Sequence, residues 1–126
     1  MAGRFLGINV RSTKDKPFAD LIVDGFKTIE TRESDSLHPY VGERIAIVRT
    51  GMGKAFAIGA VTITSVSWTN SESIFNIYED MHMVEKGSPF YIKPNVGKFM
   101  YFLKNAVRYK TPVAVGRGIV ARQLIY

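Results

Sequence analysis

The stretch from Ala55 to Trp68 constrains this chain more than any other. It is rich in Val, Ile and Thr, holds no proline, and alternates in the way a strand requires. Side chains branched at Cβ lose rotamer freedom against a preceding helical turn and pack well on a pleated surface, so the stretch reads as one long strand. Gly59 within it is a candidate bulge. The segment before it, Arg44 to Thr50, alternates likewise, and Gly51-Met52-Gly53 between them supplies a turn. A hairpin of this length requires further strands to cover it, so the fold class is β-rich.

Other segments supply those strands. Arg4 to Arg11 reads as a first strand, and Pro17 opens a short helix whose Phe18, Leu21 and Ile22 share a face. Gly25 stands where a left-handed C-terminal cap is expected. Lys27 to Arg32 is the next strand, with Thr28, Glu30 and Arg32 on one side. Asn70 or Ser71 caps a second helix with Ile74, Phe75, Tyr78 and Met81 as its apolar stripe. If that helix persists to His82 and Glu85, both continue the stripe; if it ends near Asp80, both are loop residues. The stretch from Lys86 to Gly97, with its Gly and Pro residues, reads as a loop, and Lys98 to Leu103 and Val113 to Ile125 read as the closing strands. The expected fold is α+β: about six mostly antiparallel strands with two helices, closed into a small barrel that hides its edges. At 126 residues this is a single domain, 1–126.

Composition limits the chemistry. The chain has no cysteine, which removes disulfides, thiolate zinc sites and thiol nucleophiles together. Two histidines, His38 and His82, are too few and too far apart for a structural zinc site, so no metal and no cofactor is expected. Neither a dinucleotide fingerprint nor a phosphate loop is present. The first residues form no signal-peptide apolar run, no stretch reaches membrane-spanning length, and a cytoplasmic location with no membrane partner is expected. Protein partners are not legible.

Seventeen Lys and Arg against eleven Asp and Glu give a net charge of +6. The last acidic residue is Glu85; every charged residue from Lys86 to Arg122 is basic. Aromatics such as Tyr91, Phe99, Tyr101 and Tyr109 lie among them, a mixture that suits phosphate pairing beside base stacking and equally suits an edge kept soluble by lysines.

The densest run of functional side chains is Gly25-Phe26-Lys27-Thr28-Ile29-Glu30-Thr31-Arg32. Glu30 and Arg32, two apart on a strand, can pair with each other, while Lys27 sits at the corner and can aim elsewhere. A plain salt-bridged solvent face is the alternative explanation.

The pattern Gly-x-Lys-Thr-Ile-Glu-x-Arg after Phe18-Ala19-Asp20-Leu21-Ile22, followed by Val41-Gly42-Glu43-Arg44-Ile45, resembles the activating-signal-cointegrator homology (ASCH) family. The likeness continues through Gly59-Ala60-Val61, Thr111-Pro112-Val113 and Gly116-Arg117-Gly118, and so spans nearly the whole chain. The resemblance implies a barrel like that of pseudouridine synthase and archaeosine transglycosylase (PUA-like), with a cleft beside the motif strand for RNA or a nucleoside. Small stand-alone bacterial members of the family hydrolyse N4-acetylcytidine to cytidine and acetate. Their catalytic lysine, two residues past the helix-ending glycine, matches Lys27. Their reactive threonine, three residues later, is replaced here by Glu30, and Thr28 is not the same position. Their glutamate late in the second helix has its nearest counterpart in Glu85, one residue closer to the preceding histidine, here His82.

The expectation is thus a pocket for a pyrimidine nucleoside or RNA base, with amide hydrolysis of N4-acylated cytidine. Lys27, Glu30, Glu85 and Thr28 are the candidate catalytic residues; Arg32, Trp68, Tyr91 and Arg11 are candidates for substrate binding. In a water-based mechanism Glu30 or Glu85 acts as general base and Lys27 steadies the oxyanion or protonates the amine. The alternatives are an RNA-binding or modified-base-reading domain without chemistry, and a metal-independent ribonuclease.

Overall fold

The computed structural model describes residues 4–116 and 121–125. Its elements run β1 (Arg4–Arg11), α1 (Phe18–Val23), β2 (Ile29–Arg32), a 3-10 turn (His38–Tyr40), β3 (Arg44–Thr50), β4 (Phe56–Thr69), α2 (Glu72–Ile77), α3 (Glu79–His82), β5 (Lys98–Ala114) and β6 (Ala121–Ile125). The six strands form one sheet in the order β2-β5-β4-β3-β1-β6. The ladders are antiparallel except that β1 and β3 run parallel, with Arg11 opposite Thr50.

The expected hairpin is there: β3 and β4 pair across Gly51 and Gly53, both at positive φ. Ile47 faces Gly59 and Val48 faces Ala57, so Ile58 is the extra residue of a bulge on β4 beside that glycine. Gly59 has a further reason to lack a side chain, since a Cβ there would stand 2.3 Å from the Val107 carbonyl oxygen and 2.5 Å from Val23 Cγ1. Helix α1 therefore lies directly on β4.

Two expectations are corrected. The segment from Lys98 to Ala114 is one strand of 17 residues rather than two strands parted by a break. Its ladder with β4 runs from Lys98 opposite Thr69 to Ala114 opposite Phe56, and the extra residues of β5 fall between Lys104 and Val107, where Asn105 has φ 55, and between Arg108 and Val113. The sheet also does not close into a barrel: among the described residues β2 pairs only with β5 and β6 only with β1. The four residues of β2 form an edge of the sheet. Its outer side is joined to β1 by a side chain instead, the Arg32 guanidinium donating to the Asn9 carbonyl. The second helix is split at Tyr78, and its last turn ends at His82 with Met83 in the left-handed region.

The main core lies between the sheet and α1, built from Ile8, Ile22, Ile47, Ile58, Ile63 and Tyr101 among others. A second cluster of Ile29, Phe75, Val84, Ile92 and Met100 fixes α2, α3 and the loop after them against β2 and β5. The site lies between the two. Arg117 and Gly118, part of the closing run read from the sequence, fall outside the described residues. Among the described residues no helix is long and apolar enough to cross a membrane.

Candidate functional site

Past α1, Gly25 takes φ +83 and the amides of Phe26 and Lys27 both donate to the Leu21 carbonyl. This doubles the chain back under its own helix, so the Lys27 side chain runs inward and is only 1% exposed. Its ammonium lies 4.7 Å from the centre of the Phe18 ring and donates to the backbone carbonyl of His82. Glu30 Oε1 is 3.9 Å away. Within β2 the alternation sends Ile29 into the second core cluster and Glu30 to the opposite side. Glu30 is also buried, at 7% exposure, and its other oxygen accepts from Arg32 Nε at 3.1 Å and lies 3.0 Å from Nη2 in an ion pair. Three charges thus stand in line, lysine, carboxylate and guanidinium, with Arg32 anchored on β1.

Burial pushes the Lys27 ammonium down from 10.5 to about 8, opposed by Glu30 and aided by Lys98 and Arg32. A lysine in that range holds its proton at neutral pH and can release it.

His82 fixes the acceptor that Lys27 uses. Its Nδ1 accepts from the Val84 amide at 2.9 Å, which requires the proton on Nε2, 2.8 Å from the Phe75 carbonyl. The ring is fully buried and stacks on Phe75 with centroids 4.0 Å apart. Burial holds its pKa below the ordinary value despite the Phe75 hydrogen bond, and Lys27 lowers it further. His82 is therefore a neutral positioning residue whose own carbonyl seats the lysine.

A cavity of about 280 Å³ opens above this group. Asn9 to Arg11 at the end of β1 form one wall, and Glu30 to Arg32 form another. Phe18 and Phe90, edge to face at 5.6 Å, and Val84 make the apolar remainder. The volume is at the small end of ligand pockets and suits one ring system rather than a dinucleotide.

The structure brings Lys27, Glu30, Arg32 and Arg11 together on this cavity. It does not bring the other candidates there. Thr28 is tied into the backbone by its amide to the Met81 carbonyl and by the Leu103 amide to its own carbonyl, and it does not line the cavity. Glu85 points to solvent and pairs with Lys16 at 2.8 Å, an arrangement that lowers its pKa. The backbone reversal at Met83 turns Val84, not Glu85, toward the cavity. Tyr91 lines a separate hollow with its hydroxyl donating to Asn76 at 2.7 Å or Glu72 at 3.0 Å. Trp68 is half exposed on β4, its ring against Gly97.

Phe18 and the Asn9 carbonyl were not singled out from the sequence. Phe18 reads there as a core residue, which it also is; Phe90 is one of the aromatics of the basic C-terminal segment, in a stretch that reads as a loop. Among the described residues no group of three or more His, Cys, Asp or Glu is placed to hold a metal ion.

No family model matches the sequence, and a search of curated proteins returns no match. Solved structures do match. ASCH from Zymomonas mobilis superposes with a TM-score of 0.70 at 21% identity, over 86% of this chain and 71% of that one. A single-residue variant of the same protein matches with a TM-score of 0.69 at 22% identity, over 86% and 72%. A second variant gives 0.70 at 21%, over 86% and 73%. At these identities the likeness is one of architecture: the chain shares the fold of these ASCH structures.

Proposed function

We propose that the cavity takes a pyrimidine nucleoside and that the chain hydrolyses the amide of N4-acylated cytidine. The observation that carries this reading is the buried Lys27 beside Glu30 at the cavity floor. A group that only binds has no need of a lysine pushed toward neutral pH, whereas a proton donor does.

In this mechanism Glu30 takes a proton from a water, whose oxygen adds to the acyl carbonyl carbon. Lys27, cationic at that moment, stabilises the oxyanion. The C–N bond then breaks, the exocyclic nitrogen receives a proton from Lys27, and the proton on Glu30 restores the lysine. Carboxylate and cytidine leave, with one net proton released to solvent at neutral pH. Arg32 aims Glu30 through their ion pair, and Phe18 with Phe90 packs the ring. Glu30 occupies the place of the family threonine, so no acyl-enzyme is required.

The test is release of cytidine from a panel of N4-acylated cytidines by purified protein. Turnover lost in Lys27→Met and in Glu30→Gln, with folding intact, is expected. No turnover on any member of the panel would refute the reading. A second reading, base recognition in RNA without chemistry, is favoured by the cationic residues Lys93 and Lys98 near the cavity. It predicts oligonucleotide binding that weakens with salt at a log–log slope of about −0.7 per phosphate contacted.

A further inference from the structure

Beyond the wall formed by Thr31, Arg32 and Phe90 lies a second hollow of about 440 Å³, which shares those residues with the first. It is lined further by Lys98, Lys93, Ser34 and Ser36. Lys98 opens β5 and is 4% exposed, yet its ammonium makes no hydrogen bond or ion pair among the described residues. Its stem is covered while its ammonium reaches the hollow, where no protein group takes up the charge. Its electrostatic neighbours are mixed: Lys93 and Arg32 repel it, while Glu33 and Glu30 attract it from beyond ion-pair distance. Arg32 is already committed to Glu30 and to Asn9. Two lysines with two serine hydroxyls, and one exposed carboxylate (Glu33) on the rim, therefore make a site short of one anion.

We propose that this hollow is a phosphate subsite: it binds the phosphate ester of a nucleotide whose base occupies the first cavity. The proposal rests on the base-binding reading above for its orientation. Lys98 supplies a charge held at the hollow by its buried stem, Lys93 a more exposed one, and Ser34 and Ser36 donate hydroxyl hydrogen bonds to phosphate oxygens. The substrate is then a nucleoside phosphate rather than a free nucleoside. The phosphate is either terminal, on a mononucleotide, or internal, in a strand.

The experiment measures binding of cytidine, cytidine 5′-monophosphate and a cytidine-containing trinucleotide to the full chain at low salt. Inorganic phosphate alone is followed by amide chemical shifts. The monophosphate is expected to bind about ten-fold or more tightly than cytidine, the strength of one charge-assisted contact set. Lys98→Met should erase that gain without changing cytidine affinity, and Lys93→Gln should reduce it. Inorganic phosphate should shift the amides of Ser34, Ser36 and Lys98 and leave those of Lys27 to Glu30 in place. A trinucleotide tighter than the monophosphate assigns the site to a strand; equal affinity assigns it to a terminal phosphate.

Equal affinity for cytidine and its monophosphate overturns the proposal while leaving the base pocket standing. So does a monophosphate gain that survives both substitutions, or inorganic phosphate that moves none of the named amides. Phosphate shifts at Ser34, Ser36 and Lys98 with no response of Lys27 to Arg32 to any nucleoside refute the base reading and keep the subsite. Should Lys98→Met not fold, the exposed Lys93→Gln and the phosphate shifts decide.

Discussion

The buried ammonium of Lys27 makes stability depend on pH in a direction opposite to that of an ion-paired lysine. In the unfolded chain this lysine titrates at its ordinary 10.5; in the fold it titrates at about 8. Between those values the unfolded state binds a proton that the folded state does not, so stability rises with pH across the window. Below about pH 8 the cost of the buried charge is fully present. The full span between 10.5 and about 8 corresponds to about 3 kcal/mol. Going from about pH 7 to about pH 9.5 recovers about 2 kcal/mol of it. The comparison is wild type against Lys27→Met, a replacement of similar volume, because subtraction cancels every other titrating group. Urea midpoints at several pH values, followed by the fluorescence of Trp68, the chain's one tryptophan, give the difference directly. Wild type should gain on the variant as pH rises from about 8, at up to about 1.4 kcal/mol per pH unit. A difference that stays constant from neutral to alkaline pH would show that Lys27 keeps an ordinary proton affinity. The argument for it as a proton donor near neutrality would then fall.

Four other outcomes are expected. Glu30→Gln should lower turnover on N4-acetylcytidine by about 10²–10⁴-fold, as loss of a general base does, with an unchanged circular dichroism spectrum. Glu85→Gln should leave turnover within about two-fold of wild type, since the carboxylate it removes faces solvent; a loss comparable to that of Glu30→Gln would move the base to Glu85. Gly59→Ala should destabilise the fold by about 1–3 kcal/mol in urea titrations, because the added methyl overlaps the Val107 carbonyl and Val23. His82 has a depressed folded pKa, so the unfolded chain takes up its proton first as pH falls. Stability should therefore begin to drop near pH 6.5, and His82→Phe should remove that acid limb from the melting curve while loosening Lys27.

Much of this was legible in the chain, for local reasons. Ser71 caps α2 by accepting from the Ile74 amide, as its position before an apolar stripe indicates. Gly25 and the strand ending at Arg32 follow from cap chemistry and alternation, although the strand begins at Ile29 rather than Lys27, and they put Lys27, Glu30 and Arg32 in one place. What was not legible depends on contacts distant in sequence. β5 continues because β4 pairs with both of its ends, Lys98 opposite Thr69 and Ala114 opposite Phe56, so the polar residues from Lys104 onward that resemble a break are taken up as irregularities of the ladder. The closure expected of a small β domain fails because four residues of β2 meet β1 only through a guanidinium. The fate of Glu85 turned on a single residue: Met83 adopts the left-handed conformation without being a glycine, and no sequence rule marks it.

The parallel pairing of β1 with β3 has a consequence for how such a pocket can change. Both strands finish at the same rim, where Arg11 and Thr50 line the cavity and the Ser12 amide still bonds to the Thr50 carbonyl. The two segments leaving that rim, 12–17 and 51–55, are the natural places to lengthen, shorten or diversify, since loop insertion costs little compared with disturbing a core. Lys27, Glu30 and Arg32 enter from the other side on β2 and the corner before it, so they would be untouched by such edits. A library built on those two loops would vary which ring or acyl group is admitted while holding the charged line constant. The first limit on it is Gly51, where any Cβ would come within 2.6 Å of the Ser12 carbonyl oxygen.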